Sequence, residues 1–165
     1  MNIREITLGD AENFIHLVKQ VETESDYMLL EAGERTTTSE QQQLQLEQII
    51  QQSNSTIFIA EDEEKLLGYI IVIGGTARRN RHSAYLVVGI LKEYRGQGLG
   101  TSLFEAVNEW AHEHELSRLE LTVVTENEAG IALYKKNGFE IEGTKVNSLK
   151  IDGTFHNEYY MAKLL

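Results

Sequence analysis

Arg95-Gly96-Gln97-Gly98-Leu99-Gly100 places three glycines at alternate positions between a β-rich run and an amphipathic helix. Glycine at that spacing leaves backbone N–H groups uncovered where a helix begins, and the helix N-terminus adds a partial positive charge. Those are the requirements for holding a phosphate. The chain as a whole repels anions, because Lys+Arg 15 against Asp+Glu 26 gives a net charge of -11. A phosphorylated ligand must therefore be held by local geometry, and this loop is where such geometry is expected. No Gly-Lys-Ser/Thr follows to make a P-loop, and the third glycine of a dinucleotide fingerprint falls on Thr101. The same residues also read as a tight strand-to-helix turn.

Asn127 and Tyr134 are seven residues apart, two helical turns, so they project from nearly one face. Asn127 also reads as the start of a helix, beside Thr125 and Glu128, and Tyr134 as core beside Ile131 and Phe139. His112 and His114, two apart on a helix, face apart and make a poor metal pair, while His16 and His156 stand alone. No metal site is expected. With Cys 0 there is neither a disulfide framework nor thiol chemistry. Arg78, Arg79 and Arg81 form either a polar hairpin turn or a contact for a ligand phosphate.

The elements that must position these groups are marked by glycine and polar clusters, since Pro is 0. Asn2–Leu8 alternates like a short edge strand, and Asp10 is placed to cap a helix over Ala11–Glu22. Tyr27–Gly33 reads as an irregular turn. Ser39-Glu40-Gln41-Gln42 fits a capping box ahead of a helix carrying Leu44, Leu46, Ile49 and Ile50. Ser55–Glu61, Leu66–Gly74 and Ser83–Leu91 form a strand meander, followed by the glycine loop and a Thr101–Glu115 helix. Leu119–Val124 is a strand and Glu128–Asn137 a short helix stopped at Gly138. Glu142–Ile151 and Thr154–Leu164 pair through Asp152-Gly153, a strong hairpin signal.

Hydrophobic content of 41% with 25% charged residues is ordinary for a globular protein, and 165 residues suffice for one domain spanning 1–165. No apolar run approaches the ~20 residues of a membrane helix, so no membrane partner is expected. Met1-Asn2-Ile3-Arg4-Glu5 lacks a signal peptide's apolar segment, and a cytoplasmic location is the expectation. The acidic balance argues against nucleic acid as the partner and suits a cationic amine.

Arg95-x-x-Gly98-x-Gly100, after Val88-Gly89-Ile90, resembles the acyl-CoA-binding motif of the GNAT superfamily of N-acetyltransferases. Asn127 to Phe139, with its Asn, Ala-Leu-Tyr and Gly-Phe elements, resembles that family's second signature. The resemblance runs from about Ile57 to Phe139 and is looser over the N-terminal helices and the final hairpin. It implies an α/β (α+β) fold: a mixed, mostly antiparallel twisted sheet with helices on both faces. A splay between the Val88 strand and the Leu119–Val124 strand would hold acetyl-CoA. The resemblance further implies that Arg95, Gly96, Gln97, Gly98, Leu99, Gly100 and Thr101 cradle the pyrophosphate, and that Val88 and Ile90 offer backbone groups to the pantetheine arm. Gly89 is expected either as a bulge with a free N–H or as a packing requirement. Asn127 would bind the cofactor arm and Tyr134 would protonate the departing thiolate, which a phenol of pKa near ~10 can do at neutral pH.

The resemblance implies transfer of an acetyl group from acetyl-CoA to a primary amine: a small molecule, a polyamine, an amino acid or a protein N-terminus. The alternative is an acyl-CoA-binding sensor or interaction module. Two positions where relatives carry a basic Glu are Tyr85 and Thr122 here. Glu31, in the Tyr27–Gly33 segment, or Glu120 would substitute as base; each also reads as a solvated carboxylate. Glu24, Asp26, Glu31 and Glu34 would suit a cationic acceptor, and a homodimer through a C-terminal strand is compatible with the family.

Overall fold

The computed structural model describes residues 1–165. Seven strands make one sheet in the order β1-β2-β3-β4-β5-β7-β6. They are β1 Asn2–Glu5, β2 Thr56–Asp62, β3 Lys65–Gly74, β4 Ser83–Ile90, β5 Arg118–Val124, β6 Glu140–Ile151 and β7 Thr154–Leu164. The helices are α1 Ala11–Glu24, α2 Ser39–Gln51, α3 Leu99–Glu113 and α4 Glu128–Lys136. Only β4 and β5 are parallel; every other pair is antiparallel. The parallel pair is joined through α3, as a crossover requires.

Strand periodicity sorts the core into two layers. Phe58, Ile70, Val72, Leu86, Leu121 and Val123 face α3, whose Leu103, Phe104, Val107 and Trp110 complete that layer. The alternate residues Ile57, Ile59 and Tyr69 meet Phe14, Leu17, Val18 and Val21 of α1 and Leu46 of α2. Helices α1 and α2 thus cover one face over β1 to β4, while on the same face of β5 and β7 Glu120, Thr122 and Tyr160 are exposed or half-buried.

Local chemistry moves several expected boundaries. The box that starts α2 is Thr38 with Gln41, not Ser39: Gln41 N donates to Thr38 Oγ1 at 3.2 Å and Thr38 N to Gln41 Oε1 at 2.9 Å. Asp10 does not cap α1 through its side chain. It accepts from Thr7 N at 2.7 Å and from both Arg4 Nη atoms at 2.8 and 2.9 Å, pinning a turn at Leu8–Asp10 after an edge strand that ends at Glu5. Helix α3 begins two residues earlier than the periodicity suggests, at Leu99, because Gly98 is its left-handed N-cap with φ 85°. The final hairpin turns at Asp152-Gly153 with φ 49° and 79°, as expected of a type I′ turn. β7 is flanked by β5 and β6, so the free edge on that side of the sheet belongs to β6.

Candidate active site at the strand fork

β4 and β5 pair only at Ser83–Tyr85 with Arg118–Glu120, and beyond that point they part. Which backbone groups line the gap follows from alternation. Gly75 N donates to Ser83 O at 2.9 Å and Leu91 N to Leu67 O at 3.0 Å, so the odd-numbered residues of β4 bond to β3. The N–H and C=O groups of Val88 and the N–H of Ile90 therefore point toward the β5 side beyond the last paired residues, Tyr85 and Glu120, where no strand meets them. The fork is a slot with an unpaired strand edge on one wall. An extended chain with alternating donors and acceptors fits such an edge.

The expected bulge at Gly89 is absent. Register runs unbroken from Gly68↔Ile90 to Gly74↔Ala84, with Tyr69 opposite Gly89. Glycine is needed there because the Tyr69 ring occupies the space a side chain would take.

At the open end of the fork the chain turns into α3. Gly96 and Gly98 have φ 74° and 85°, and no atom lies within 4 Å of where their side chains would start. Left-handed backbone selects glycine at both positions. The amides of Gly96 through Thr101 donate to no group in the protein; the first helical bond is Ser102 N to Gly98 O at 3.1 Å. Free amides at a helix N-terminus form an anion cradle. Its flanks are fixed: Arg95 Nε donates to Ile90 O at 3.2 Å, Gln97 Nε2 to Glu93 O at 2.9 Å, and Lys92 N to Glu24 Oε1 at 2.9 Å. The Lys92 amide holds the Glu24 carboxyl below its ordinary range. Glu24 is thereby tied to the cradle's base.

Gly100 works differently. A side chain there would stand 2.7 Å from Leu133 Cδ2, so its absence lets α4 close on the first turn of α3. Asn127 is the N-cap of α4, with its Oδ1 accepting from Gly130 N at 3.0 Å; Nδ2 has no partner in the protein. At the other end Gly138 has φ 92°, Gly138 N donates to Lys135 O at 3.1 Å and Phe139 N to Tyr134 O at 3.0 Å. This is a Schellman close, and its usual apolar contact is made by Phe139 against Tyr134, ring centres 6.3 Å apart. Phe104 meets the Tyr134 ring edge-on at 5.9 Å. Tyr134 is thus both core residue and functional candidate: its ring is gripped on two sides, and its hydroxyl donates to nothing within the protein. Burial, with a smaller contribution from the Tyr85 hydroxyl, pushes its pKa up to about 12.

Other candidates lie elsewhere. Glu31 is exposed between α1 and α2, and Glu34 there accepts from the Glu31 amide at 3.1 Å. Glu120 is bound by Arg118 Nε at 2.9 Å, and Arg118 also holds Glu142 at 2.6 Å. The Arg78–Arg81 loop sits at the paired end of β4, about 23 Å along the strand from the glycine loop at ~3.3 Å per residue. It forms a turn and does not face the cradle. His114 caps α3, with Nδ1 2.8 Å from Trp110 O and its ring stacked on the indole at 4.1 Å. Two features escaped sequence reasoning. Tyr85 Oη lies 2.7 Å from Thr122 Oγ1 across the fork, and Arg35 bonds the buried Glu22 through Nε and Nη2 at 2.7–3.1 Å. Both join residues 13 or more apart, so no local spacing signals them. No helix is long and apolar enough to cross a membrane.

The profile of the acetyltransferase (GNAT) family matches residues 21–139. A GNAT-family acetyltransferase from Streptococcus pneumoniae superposes with a TM-score of 0.96 over 99% of both chains, at 34% identity. An L-amino acid N-acetyltransferase of Escherichia coli (strain K12) is 32% identical over 90 residues, 52% of this chain and 54% of that protein. The chain thus covers about half the length of that relative. A phosphinothricin acetyltransferase from Sinorhizobium meliloti, solved in complex with acetyl-CoA, shares the fold with a TM-score of 0.86 at 17% identity, over 99% of this chain and 88% of that one.

Proposed function

The chain belongs to the acetyltransferase (GNAT) family, and from that premise we propose that it moves the acetyl group of acetyl-CoA onto a primary amine, with both substrates bound at the β4–β5 fork. The observation that carries this reading is the continuity of unused donors. Unpaired backbone on Val88 and the free N–H of Ile90 lead toward the free amides of Gly96 to Thr101. Acetyl-CoA supplies an activated thioester. The amides of the cradle hold its pyrophosphate, and the edge of β4 receives the pantetheine arm as an added strand. Asn127 Nδ2, left free by the cap, is available to the same arm. Tyr134, kept protonated by burial, donates its proton to the leaving sulfur. With Cys 0, no thiol of this chain can take up the acetyl group, and direct attack by the amine suits the residues present.

The acceptor is a primary amine reaching the fork from the face that α1 and α2 leave open. Thermal unfolding with acetyl-CoA, CoA, NADH and ATP tests the cleft. A native-state ligand at 100 times its dissociation constant adds roughly 2.7 kcal/mol, so acetyl-CoA and CoA should raise Tm while the others do not. Thiol release with spermidine, L-alanine and an alanine-led hexapeptide as acceptors then tests the reaction. Absence of a shift with either CoA species would overturn the reading. Saturable CoA binding without thiol release in any acceptor would favour a binding module instead.

A further inference from the structure

Two groups at the fork serve neither the phosphate cradle nor the leaving sulfur. Tyr85 is the last β4 residue paired with β5, and Thr122 stands two residues past Glu120, its partner. Leu86 and Leu121 face α3, so Tyr85 and Thr122 lie on the opposite face, the one open to solvent. Their hydroxyls bond to each other at 2.7 Å and to nothing else in the protein. Tyr85 is 40% exposed, far more than a packing tyrosine needs to be. Tyr134 reaches the fork from the other face, packed on Phe104 of α3. Hydroxyls therefore bracket the slot, one on the side of the leaving group and a bonded pair on the side from which an amine approaches.

No other ionisable side chain is hydrogen-bonded to either hydroxyl of that pair. Arg118 spans Glu120 and Glu142, His82 is exposed in the cleft beside Tyr85, and Tyr160 is the β7 residue opposite Thr122. Resting on the acetyl-transfer reading, we propose that the Tyr85–Thr122 hydroxyl pair receives the acceptor amine and relays its proton to solvent. Tyr85 donates to Thr122, leaving an Oη lone pair for an amine hydrogen. An N–H bond of the acceptor ammonium breaks as an O–H bond forms at Tyr85; the original Tyr85 proton passes to Thr122 Oγ1, and the Thr122 proton leaves to water. One proton moves from amine to solvent, and neither residue changes charge. The freed nitrogen lone pair then faces the slot.

Tyr85→Phe, Thr122→Val and Thr122→Ser test the relay with the spermidine, L-alanine and hexapeptide probes over pH 7–10, alongside calorimetric titration of acetyl-CoA. General acid–base effects of this kind lie near ~10²-fold. At pH 7 we expect Tyr85→Phe and Thr122→Val to lower kcat/KM for the amine by roughly 10–100-fold, Thr122→Ser to restore most of it, and the double variant to be no worse than Tyr85→Phe alone. The deficit should shrink toward pH 10, where the free amine is abundant, and acetyl-CoA affinity should stay unchanged. An equal deficit at every pH, a full sum of the two single losses, or parallel loss of acetyl-CoA binding would overturn the relay. Wild-type protein that turns over none of the probes would overturn the acetyl-transfer reading itself and the relay with it; wild-type turnover matched by Tyr85→Phe would overturn the relay alone.

Discussion

The ring of Tyr69 lies directly over the α-carbon of Gly89: a side-chain carbon at position 89 would stand 2.4 Å from Tyr69 Cζ and 2.6 Å from its Oη. Phe14 of α1 holds that ring edge-on at 5.4 Å, so the ring cannot easily retreat. Helix packing on one face thus fixes the β4 backbone that forms one wall of the fork. Gly89→Ala forces the strand or the ring to move, at a cost of about 1–3 kcal/mol typical of an overpacked core. Its Tm should fall accordingly in thermal unfolding. A wild-type Tm would show that β4 shifts freely at this point.

Tyr134→Phe removes one oxygen from a ring held by Phe104 and Phe139. Turnover should fall by roughly 10²-fold while acetyl-CoA affinity is kept, since the hydroxyl meets only the departing sulfur. The wild-type pH profile carries a second signature. A pKa pushed up to about 12 keeps the proton on the hydroxyl well above the ordinary phenol range, so no loss of rate from Tyr134 should appear below pH 10. A basic limb that vanishes in Tyr134→Phe would contradict the burial described here.

The two kinds of glycine in the loop should respond differently. Gly98→Ala places a side chain on φ 85° backbone in open space, costing about 1–2 kcal/mol of strain and turning the cradle's amides away. Gly100→Ala meets Leu133 at 2.7 Å and pushes α4 aside. Acetyl-CoA titration should therefore show weaker binding in both. Only Gly100→Ala should also lower turnover at saturating acetyl-CoA, because α4 carries Tyr134.

Asp10 gives the fold a measurable acid dependence. Bonds from Arg4, then from the Thr7 amide and hydroxyl, hold its carboxyl below the ordinary range in the folded chain. A lowered pKa stabilises the fold above the unfolded value near ~4 and loses that contribution as pH falls through the folded value. Asp10→Asn should cost about 2 kcal/mol at pH 7, the scale of a hydrogen bond to a charged group. In urea titrations the gap should close below about pH 4; a gap unchanged at pH 3 would mean that charge plays no part.

Much of this was legible because it is local. Gly96 and Gly98 announce left-handed backbone, Asp152-Gly153 announces a hairpin, and alternation along β2 to β5 sorts the two core layers. The same local reasoning misplaced the cap of α2 by one residue, since Thr38 and Ser39 offer the same hydroxyl and only the chain's direction into the helix selects Thr38. It could not tell a bulge at Gly89 from packing, because Tyr69 is 20 residues away in sequence. Nor could it join Tyr85 to Thr122, which meet only once β4 and β5 run side by side. Residues that act through their own backbone could be read from spacing; those that act through a partner on another strand needed the fold.

Glu22 of α1 and Arg35, in the segment that links α1 to α2, supply the last test. The Glu22 side chain is 3% exposed and the Arg35 side chain 26%, with Nη2 to Oε2 at 2.7 Å. Glu22 holds the guanidinium above its already high ordinary pKa, so Arg35 stays charged throughout the working range. Arg35→Leu strands a carboxylate in the interior and should cost about 3 kcal/mol near neutral pH. An unpaired buried carboxylate takes up a proton more readily folded than unfolded, so the variant should recover part of that loss as pH falls toward 5. Replacing both residues by Leu should restore more stability than Arg35→Leu retains, because no buried charge is left behind. Urea unfolding of the three proteins at pH 7 and 5 decides the matter. If the double variant proves no more stable than Arg35→Leu, the pair's role is to hold the segment in place, and the cost comes from lost packing rather than from a stranded charge.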